Sequence, residues 1–514
     1  MTERAPHITQ ANEKRLRQRY QAERRFKLYG QVAIAIAVGF LAILLFSIGN
    51  KASSAFTRHM LVLTIDRPDL AAHADLNVSD LNIAVREELQ ELFPQTMTDR
   101  GSRADLYALT TRLAILPLSE KLTENPNLAN LPIKARLALS DDLDLYLKTE
   151  IKSHRQSEIG QAGRLSETEI GQYRLTAAGA DGFSSLQDRI QTEDGIEPDI
   201  LVAFSGALFE LENVSGAALV LQHLAGPLPD LGEQSRAPIE ATILRSSSAD
   251  RKISNRQIAM ALHLKDQGLI ERRFNTSLFS NSDSTYPELA GTAAAMIGSL
   301  FTMLVTAIFA IPVGIMAAIY LEEFAKKSLL TSIIEVNINN LAAVPSIIFG
   351  LLGAAVFLNT LGLPRSVPLV GGLVLGLLVL PTIIIASRAA LRSVPPSVRD
   401  AALGIGASPS QAVFHHVLPL AAPGILTGAI IAMARALGET APLLLIGMVA
   451  FISDVPASPN DEATVLPVLI YKWFSGAERA WEPMTSAVII ILLAVLVTMN
   501  LVAVLLRRRF ERRW

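Results

Sequence analysis

No cysteine occurs among the 514 residues, which excludes disulfides, thiolate metal sites and cysteine nucleophiles. Catalytic signatures are missing as well. There is no G-x-S-x-G, no H-E-x-x-H and no G-x-x-x-x-G-K-[ST], so neither a hydrolase motif nor a loop that cradles nucleotide phosphates is present. His59, His73, His154, His223 and His263 are scattered without metal-ligand spacing, and no cofactor is expected. Charged residues make up only 18%, and the net charge of −2 gives no reason to expect a nucleic-acid partner. Apolar residues, by contrast, are abundant. Half of the chain is hydrophobic, the mean hydropathy is +0.35, and these residues come in blocks, which is the composition of a membrane protein.

A spanning helix needs about 20 mostly apolar residues. Six segments meet or approach that length, at residues 29–49, 291–320, 341–358, 367–386, 421–451 and 484–506. The third is preceded by the polar "EVNINN", which reads as an interfacial helix. Lys and Arg stay on the cytoplasmic side of short flanks. Arg4, Lys14, Arg15, Arg17, Arg19, Arg24, Arg25 and Lys27 precede the first span, and "RRRFERRW" follows the last. Lys326 and Lys327 lie between the second and third, and Arg388, Arg392 and Arg399 between the fourth and fifth. The pattern puts both termini on the cytoplasmic side of the membrane, with residues 1–28 as a basic cytoplasmic segment. A cleaved signal peptide competes for the first apolar run, but that run exceeds the usual 7–15 residues and favours a retained span.

Residues 50–285 then form an inserted extracytoplasmic domain, and residues 286–514 hold the other five spans. The outer region is acidic and has the size of one or two soluble domains. "LVLTID" reads as a strand, while "IAVREELQELF" and "IKARLALSDDLDLYLKT" have helical spacing, so a mixed α/β fold is expected. Its carboxylates read as a solvated face. An acidic surface is a poor first site for an anion, so if the chain handles an anionic solute this domain is a docking or regulatory module and not a trap for it.

The loop at residues 392–424, "RSVPPSVRDAALGIGASPSQAVFHHVLPLAAPG", spells two short helices at an angle. Pro395 and Pro396 suit a helix start, and Gly406 can take the left-handed conformation that ends the first helix. Ser408, Pro409 and Gln411 then form a capping box for the second. An apolar face around Ala401, Ala402 and Leu403 suits insertion into a groove on a partner, and an ordinary amphipathic connector fits the same features.

The stretch "DAALGIGASPSQAVFHHVLP" resembles the EAA loop of ABC importer permeases, with Asp400, Ala401, Ala402, Gly406, Leu418 and Pro419 on its pattern. Asp400 replaces the usual Glu, and His416 stands where an apolar residue is usual. "VPSIIFGLLG" (344–353) and "RALGETAPLLL" resemble the phosphate-specific permeases of the PstA type, and "FSNSDSTYPELAG" (279–291) resembles the junction in relatives with a large extra outer domain. The resemblance implies a polytopic α-helical membrane protein with six transmembrane helices and an ABC importer type I permease core. It also implies partners: a second homologous permease of PstC type, a dimeric ATPase of PstB type, and an extracytoplasmic binding protein that delivers inorganic phosphate.

One stretch of the fifth apolar run, "ARALGETAPLLLIG", holds Arg435 and Glu439 at a depth where each charge costs roughly 2.5–3.5 kcal/mol. Four residues apart on a helix, they share a face and can pair. The pair is either a fixed structural bond that orients the span, or part of the translocation path, with Arg435 attracting phosphate and Glu439 and Thr440 beside it. Three functions compete: a phosphate importer permease, an ABC permease for another oxyanion, and a membrane receptor with an outer sensor domain. An enzyme is the weakest reading.

Overall fold

The computed structural model describes residues 10–65, 78–111, 113–124, 132–149, 155–169, 171–177, 183, 186, 199–215, 217–244 and 251–510. Arg4, His73, His154 and residues 511–514 lie outside them. The first helix, α1 (Gln10–Ser53), runs 44 residues with no proline to break it. At 1.5 Å per residue it extends about 66 Å, so its apolar half can cross a bilayer while its basic half continues the same helix beyond. Ile34, Phe40 and Phe46 are exposed on it, as suits side chains whose solvent is lipid.

The strands that follow are β1 (Thr57–Ile65), β2 (Ile133–Ala138), β3 (Arg155–Gly160), β4 (Gly163–Glu169), β5 (Gln172–Ala177), β6 (Ile200–Phe204), β7 (Ala207–Ser215), β8 (Ala218–Ala225), β9 (Gln234–Ser235), β10 (Ile239–Ile243) and β11 (Ile270–Phe274). A three-stranded antiparallel sheet has the order β11-β1-β2, and an eight-stranded one the order β3-β10-β6-β7-β8-β5-β4-β9. Period-two alternation puts Leu61, Leu63, Ile65, Ala135 and Leu137 on one face of the smaller sheet. That face packs with the apolar stripes of α2 (Val78–Leu92) and α4 (Asn255–Asp266), which bury Leu81, Leu89, Ile258 and Leu264. The larger sheet buries Tyr173, Leu175, Phe204, Phe209 and Leu221 in a separate core.

This sheet-rich region matches the mixed α/β expectation with one correction. The "IKARLALSDDLDLYLKT" run is not a helix. Ile133, Ala135 and Leu137 alternate and pair with β1 as β2, and only after Ser140, whose carbonyl accepts from Asp144 N at 2.8 Å, does α3 (Asp141–Thr149) begin. Edge pairing with an existing strand overrode local helical spacing.

The main helices that follow the sheets are α5 (Ala293–Ile319), α6 (Leu329–Ala342), α7 (Ser346–Gly353), α8 (Pro368–Arg392), α9 (Pro396–Gly404), α10 (Leu418–Gly438), α11 (Ala441–Leu445), α12 (Leu466–Phe474) and α13 (Trp481–Phe510). With α1, five helices among the described residues are long and apolar enough to span, or six if the bent pair α6–α7 counts as one. The expected third span is thus no straight rod: α6 contains "EVNINN", and a bend of 103° separates it from α7. The expected fifth span, 421–451, ends at Gly438. Helix α8 is the most enclosed, packed between α5 and α10. Thr306 on α5 donates to Thr302 O at 2.8 Å and to Gly372 O at 3.1 Å on α8, which satisfies its hydroxyl inside the apolar core.

Two polar joints fasten the sheet region and the loops to the helices. Asp283 accepts from Lys472 and, at 3.4 Å, from Trp473 Nε1, tying the segment before α5 to α12. Arg58, on β1, donates to Ser277 Oγ at 3.4 Å beside the carboxyls of Asp141 and Glu288. Burial opposes ionisation of Asp144, but His59 at 2.9 Å and Lys148 outweigh it and hold that carboxyl below the usual range. Asp141 differs. Burial first, then the hydrogen bond and charge of Glu288, push it up to about 9.

An unfolded chain releases the Asp141 proton near pH 3.8, so across the window from there to about 9 the folded state holds a proton that the unfolded state lacks. Stability therefore falls as pH rises through that window. In detergent, the apparent melting temperature should decline between about pH 6 and 9 for the native chain and decline less for Asp141→Asn, which cannot titrate. Equal slopes for the two proteins would contradict the shared proton.

Candidate functional site

The loop at residues 392–424 is a compact knob. Helix α9 starts on Pro396 after Pro395, and the chain turns at Gly406, whose φ of +93° is strained for any residue with a Cβ although the space around it is open. Ser408 Oγ accepts from Gln411 N at 3.3 Å and Gln411 Oε1 accepts from Ser408 N at 2.9 Å, a reciprocal capping box with Pro409 at the first helical position. A π-helical turn, Ala412–Val417, then leads into α10. Asp400, Ala401, His415 and His416 are exposed, and Leu418 and Pro419 are part-buried.

Ala402 corrects the expected docking face. It is only 3% exposed and belongs to the side of α9 that packs on the π-helical turn. The outward apolar side chains are Leu403, Ile405, which is 82% exposed, and Phe414. The alternation of small and large residues in "DAALGI" signals an inner and an outer face, but only the packing shows that the middle alanine is the inner one.

Below the knob lies a network of ion pairs that sequence reading missed. Glu322 and Glu323 sit on a π-helical turn, Tyr320–Phe324, that closes α5. Glu323 takes Arg399 of α9 in a two-pronged bond, Nε at 3.0 Å and Nη2 at 2.5 Å. The same guanidinium donates to Leu391 O at 3.0 Å and Val394 O at 2.8 Å. Glu322 accepts from Arg388 Nε at 3.3 Å and Arg392 Nε at 2.8 Å, and Arg388 Nη2 reaches Glu335 Oε1 on α6 at 2.6 Å. The arginines had been noted only as cytoplasmic charges. Two adjacent carboxylates at the end of an apolar run that the charge pattern assigns to the cytoplasmic side, where cations are expected, were the available signal.

The charged pair in the fifth apolar run stays together, but not on one helix. Helix α10 ends at Gly438, Glu439 is extended (φ −79°, ψ 129°), and α11 begins at Ala441. Arg435 Nε still lies 3.6 Å from Glu439 Oε1. The Arg435 side chain is 44% and that of Glu439 21% exposed, so both face away from the chain's own core. Thr440 makes the break tolerable, because its carbonyl accepts from Leu443 N and Leu444 N, each at 3.1 Å. Helix α7 lies directly on α11: a Cβ added at Gly350 would stand 2.7 Å from Pro442 Cα. The polar break thus sits beside the bent pair α6–α7.

The family of binding-protein-dependent transport system inner membrane components matches residues 310–514, and a domain of unknown function (DUF3333) matches residues 13–157. The phosphate transport system permease protein PstA 1 of Mycobacterium tuberculosis is 32% identical over 223 residues, 43% of this chain and 72% of that protein. The phosphate transport system permease protein PstA of Haemophilus influenzae is 31% identical over 211 residues, 41% of this chain and 73% of that protein. Among solved structures, an inward-facing MetNI methionine ABC transporter matches 42% of this chain and 95% of its own with 18% identity and a TM-score of 0.36. By these relatives, the chain belongs to the binding-protein-dependent transport inner membrane components as a PstA-type ABC permease, a multi-pass protein that carries an additional sheet-rich domain.

Proposed function

We propose that the chain is the transmembrane subunit of an ATP-driven importer of inorganic phosphate, with the path beside the break at Glu439 and the coupling loop at residues 392–424. The observation that carries this reading is a break in the helical path, between the span that ends at Gly438 and the short α11, next to an arginine whose side chain is 44% exposed. Interrupted helices at mid-membrane commonly hold transported ions, since they free backbone groups and point them at the solute. Arg435 offers planar donors that suit two phosphate oxygens, and Glu439 at 3.6 Å competes for them, which keeps binding weak enough for release. The names of the related permeases support phosphate as the solute.

In this arrangement both termini are cytoplasmic and residues 50–285 are extracytoplasmic. A second, PstC-type permease covers the exposed face of Arg435, an extracytoplasmic binding protein delivers phosphate, and a PstB-type ATPase dimer seats Leu403, Ile405 and Phe414 in its grooves. Asp400 and Ala401 flank that apolar tip, Gly406 sets its angle, and Leu418 and Pro419 pass its movement into α10.

Proteoliposomes holding the full complex, with ATP inside and binding protein outside, give the first test. Arg435→Gln should lower phosphate uptake by roughly ten- to a hundredfold, as for loss of a charge-assisted hydrogen bond of about 1.5–3 kcal/mol, with assembly intact. Assembly lost in Arg435→Gln and regained in Arg435→Gln/Glu439→Gln would instead make the pair structural, and uptake of sulfate or molybdate in place of phosphate would change the solute.

The coupling loop has its own test. Ile405→Asp puts a charge on the outward tip, and Gly406→Val forces a left-handed position at a cost of about 1–3 kcal/mol. Both variants should insert normally yet lose most of the ATPase on co-purification. Full retention of ATPase by both would remove this loop from the interface.

A further inference from the structure

Helix α6 is weakly held. None of its residues is buried, and Leu329, Leu330, Ile333 and Val336 are all exposed. Among its part-buried residues, Ile338 packs against the cluster around Ile384 and Leu391, and the helix lies along α8. Among the described residues, a single ion pair joins an α6 side chain to another helix: Glu335 to Arg388 of α8. Arg388 is 12% exposed and also bonded to Glu322, so it is fixed on the α8 side. A lone charge-assisted bond on an otherwise unburied helix decides where that helix goes.

Arg388 belongs to the same network that fixes the knob. Arg399 spends its guanidinium on Glu323 of α5 and on the last carbonyls of α8, so α9 cannot pivot without breaking several bonds at once. Glu322, the neighbour of Glu323, passes that constraint to Arg388, and Arg388 passes it to α6. Beyond the 103° bend, α7 rests on Pro442 at the polar break.

We propose that Arg388 is a positioning residue that makes α6 move with the coupling loop, so that displacement of α9 reaches the broken span beside Arg435 and Glu439. The inference rests on the importer reading above, since it needs an ATPase that moves α9. It identifies Glu335 as the far end of the connection. A chain of bonds is no coupling until a variant separates its two ends, and the chain's lack of cysteine makes that separation measurable.

Ser397→Cys on α9 and Ser332→Cys on α6 place spin labels at two exposed positions in the full complex, assembled with cysteine-free partners. The distance between them should be the same with and without ATP. In Glu335→Gln it should change or broaden on adding ATP, while uptake per ATP hydrolysed falls about tenfold, within the usual range for coupled sites. Arg388→Lys should restore more of both readouts than Arg388→Gln, and Glu335→Gln/Arg388→Gln should be no worse than Arg388→Gln alone. A Glu335→Gln complex with native distances and native stoichiometry overturns the proposal, as does a native complex in which the two labels separate on ATP. A further pair, Ser397→Cys with Arg508→Cys at the end of α13, reports whether α9 moves at all. No ATP-dependent change there would overturn the importer reading itself, whereas movement there with an indifferent Glu335→Gln overturns only the role of Arg388.

Discussion

Inside a bilayer every backbone donor and acceptor must find a partner within the protein, and each break in a helix exposes several of them at once. This chain breaks its helical path at two places, within the bent span α6–α7 and after the span that ends at Gly438, before the short α11, and meets the requirement by local means. At the second break Glu439 N bonds to Ala436 O at 3.2 Å and Thr440 O receives the first two bonds of α11. At the first, Ala343 N bonds to Asn340 O at 3.0 Å and Val344 N to Leu341 O at 3.2 Å, and Pro345 needs no donor partner. Once satisfied, the two breaks stack, α7 on α11, with a glycine at the closest point. The enclosed α8 is packed between α5 and α10 and also meets α6 and α7.

Electrostatics divides the helices into two regimes. In the apolar core, the hydroxyls of Thr302 and Thr306 bond within and between helices. Full charges gather at the ends. Glu322, Glu323, Arg388, Arg392 and Arg399 form one connected set, in which every carboxylate meets at least one guanidinium. Part-buried pairs of this kind are costly to break on one side, because the partner is left desolvated. Their value here is geometric. Planar guanidinium groups fix direction as well as distance, so three helices and a loop share one orientation.

The parts that were legible in the sequence follow from local chemistry. The turn at Gly406 and the Ser408–Gln411 capping box depend on residues within one or two turns of each other, and hydropathy alone locates α1, α5, α8 and α13. The parts that were not legible depend on distant partners. Whether the apolar run after Ala421 continues past Gly438 turns on one residue, Glu439, and a hydropathy window averages that residue away. Strand β2 exists because β1 offers it an edge, and Ala402 points inward because the π-helical turn occupies that side. The Glu322–Arg388–Glu335 connection joins positions 66 and 53 residues apart, beyond any spacing rule.

The route by which the sheet-rich region is attached carries a mechanical consequence. Strand β1 follows α1 almost directly, β11 leads to α5 through a short segment, and the two are neighbours in one antiparallel sheet, with Thr57 opposite Phe274. The region therefore hangs from two adjacent strands, not from two independent linkers. A hydrogen-bonded pair of strands resists shear between its members, so α1 and the segment before α5 cannot slide past each other without breaking that ladder. Arg58, beside Asp141 and Glu288, and Lys472 on Asp283 stiffen the same junction from either side. The three-stranded sheet is thus the part of the region held most directly to α5, whose far end leads to Glu322 and Glu323.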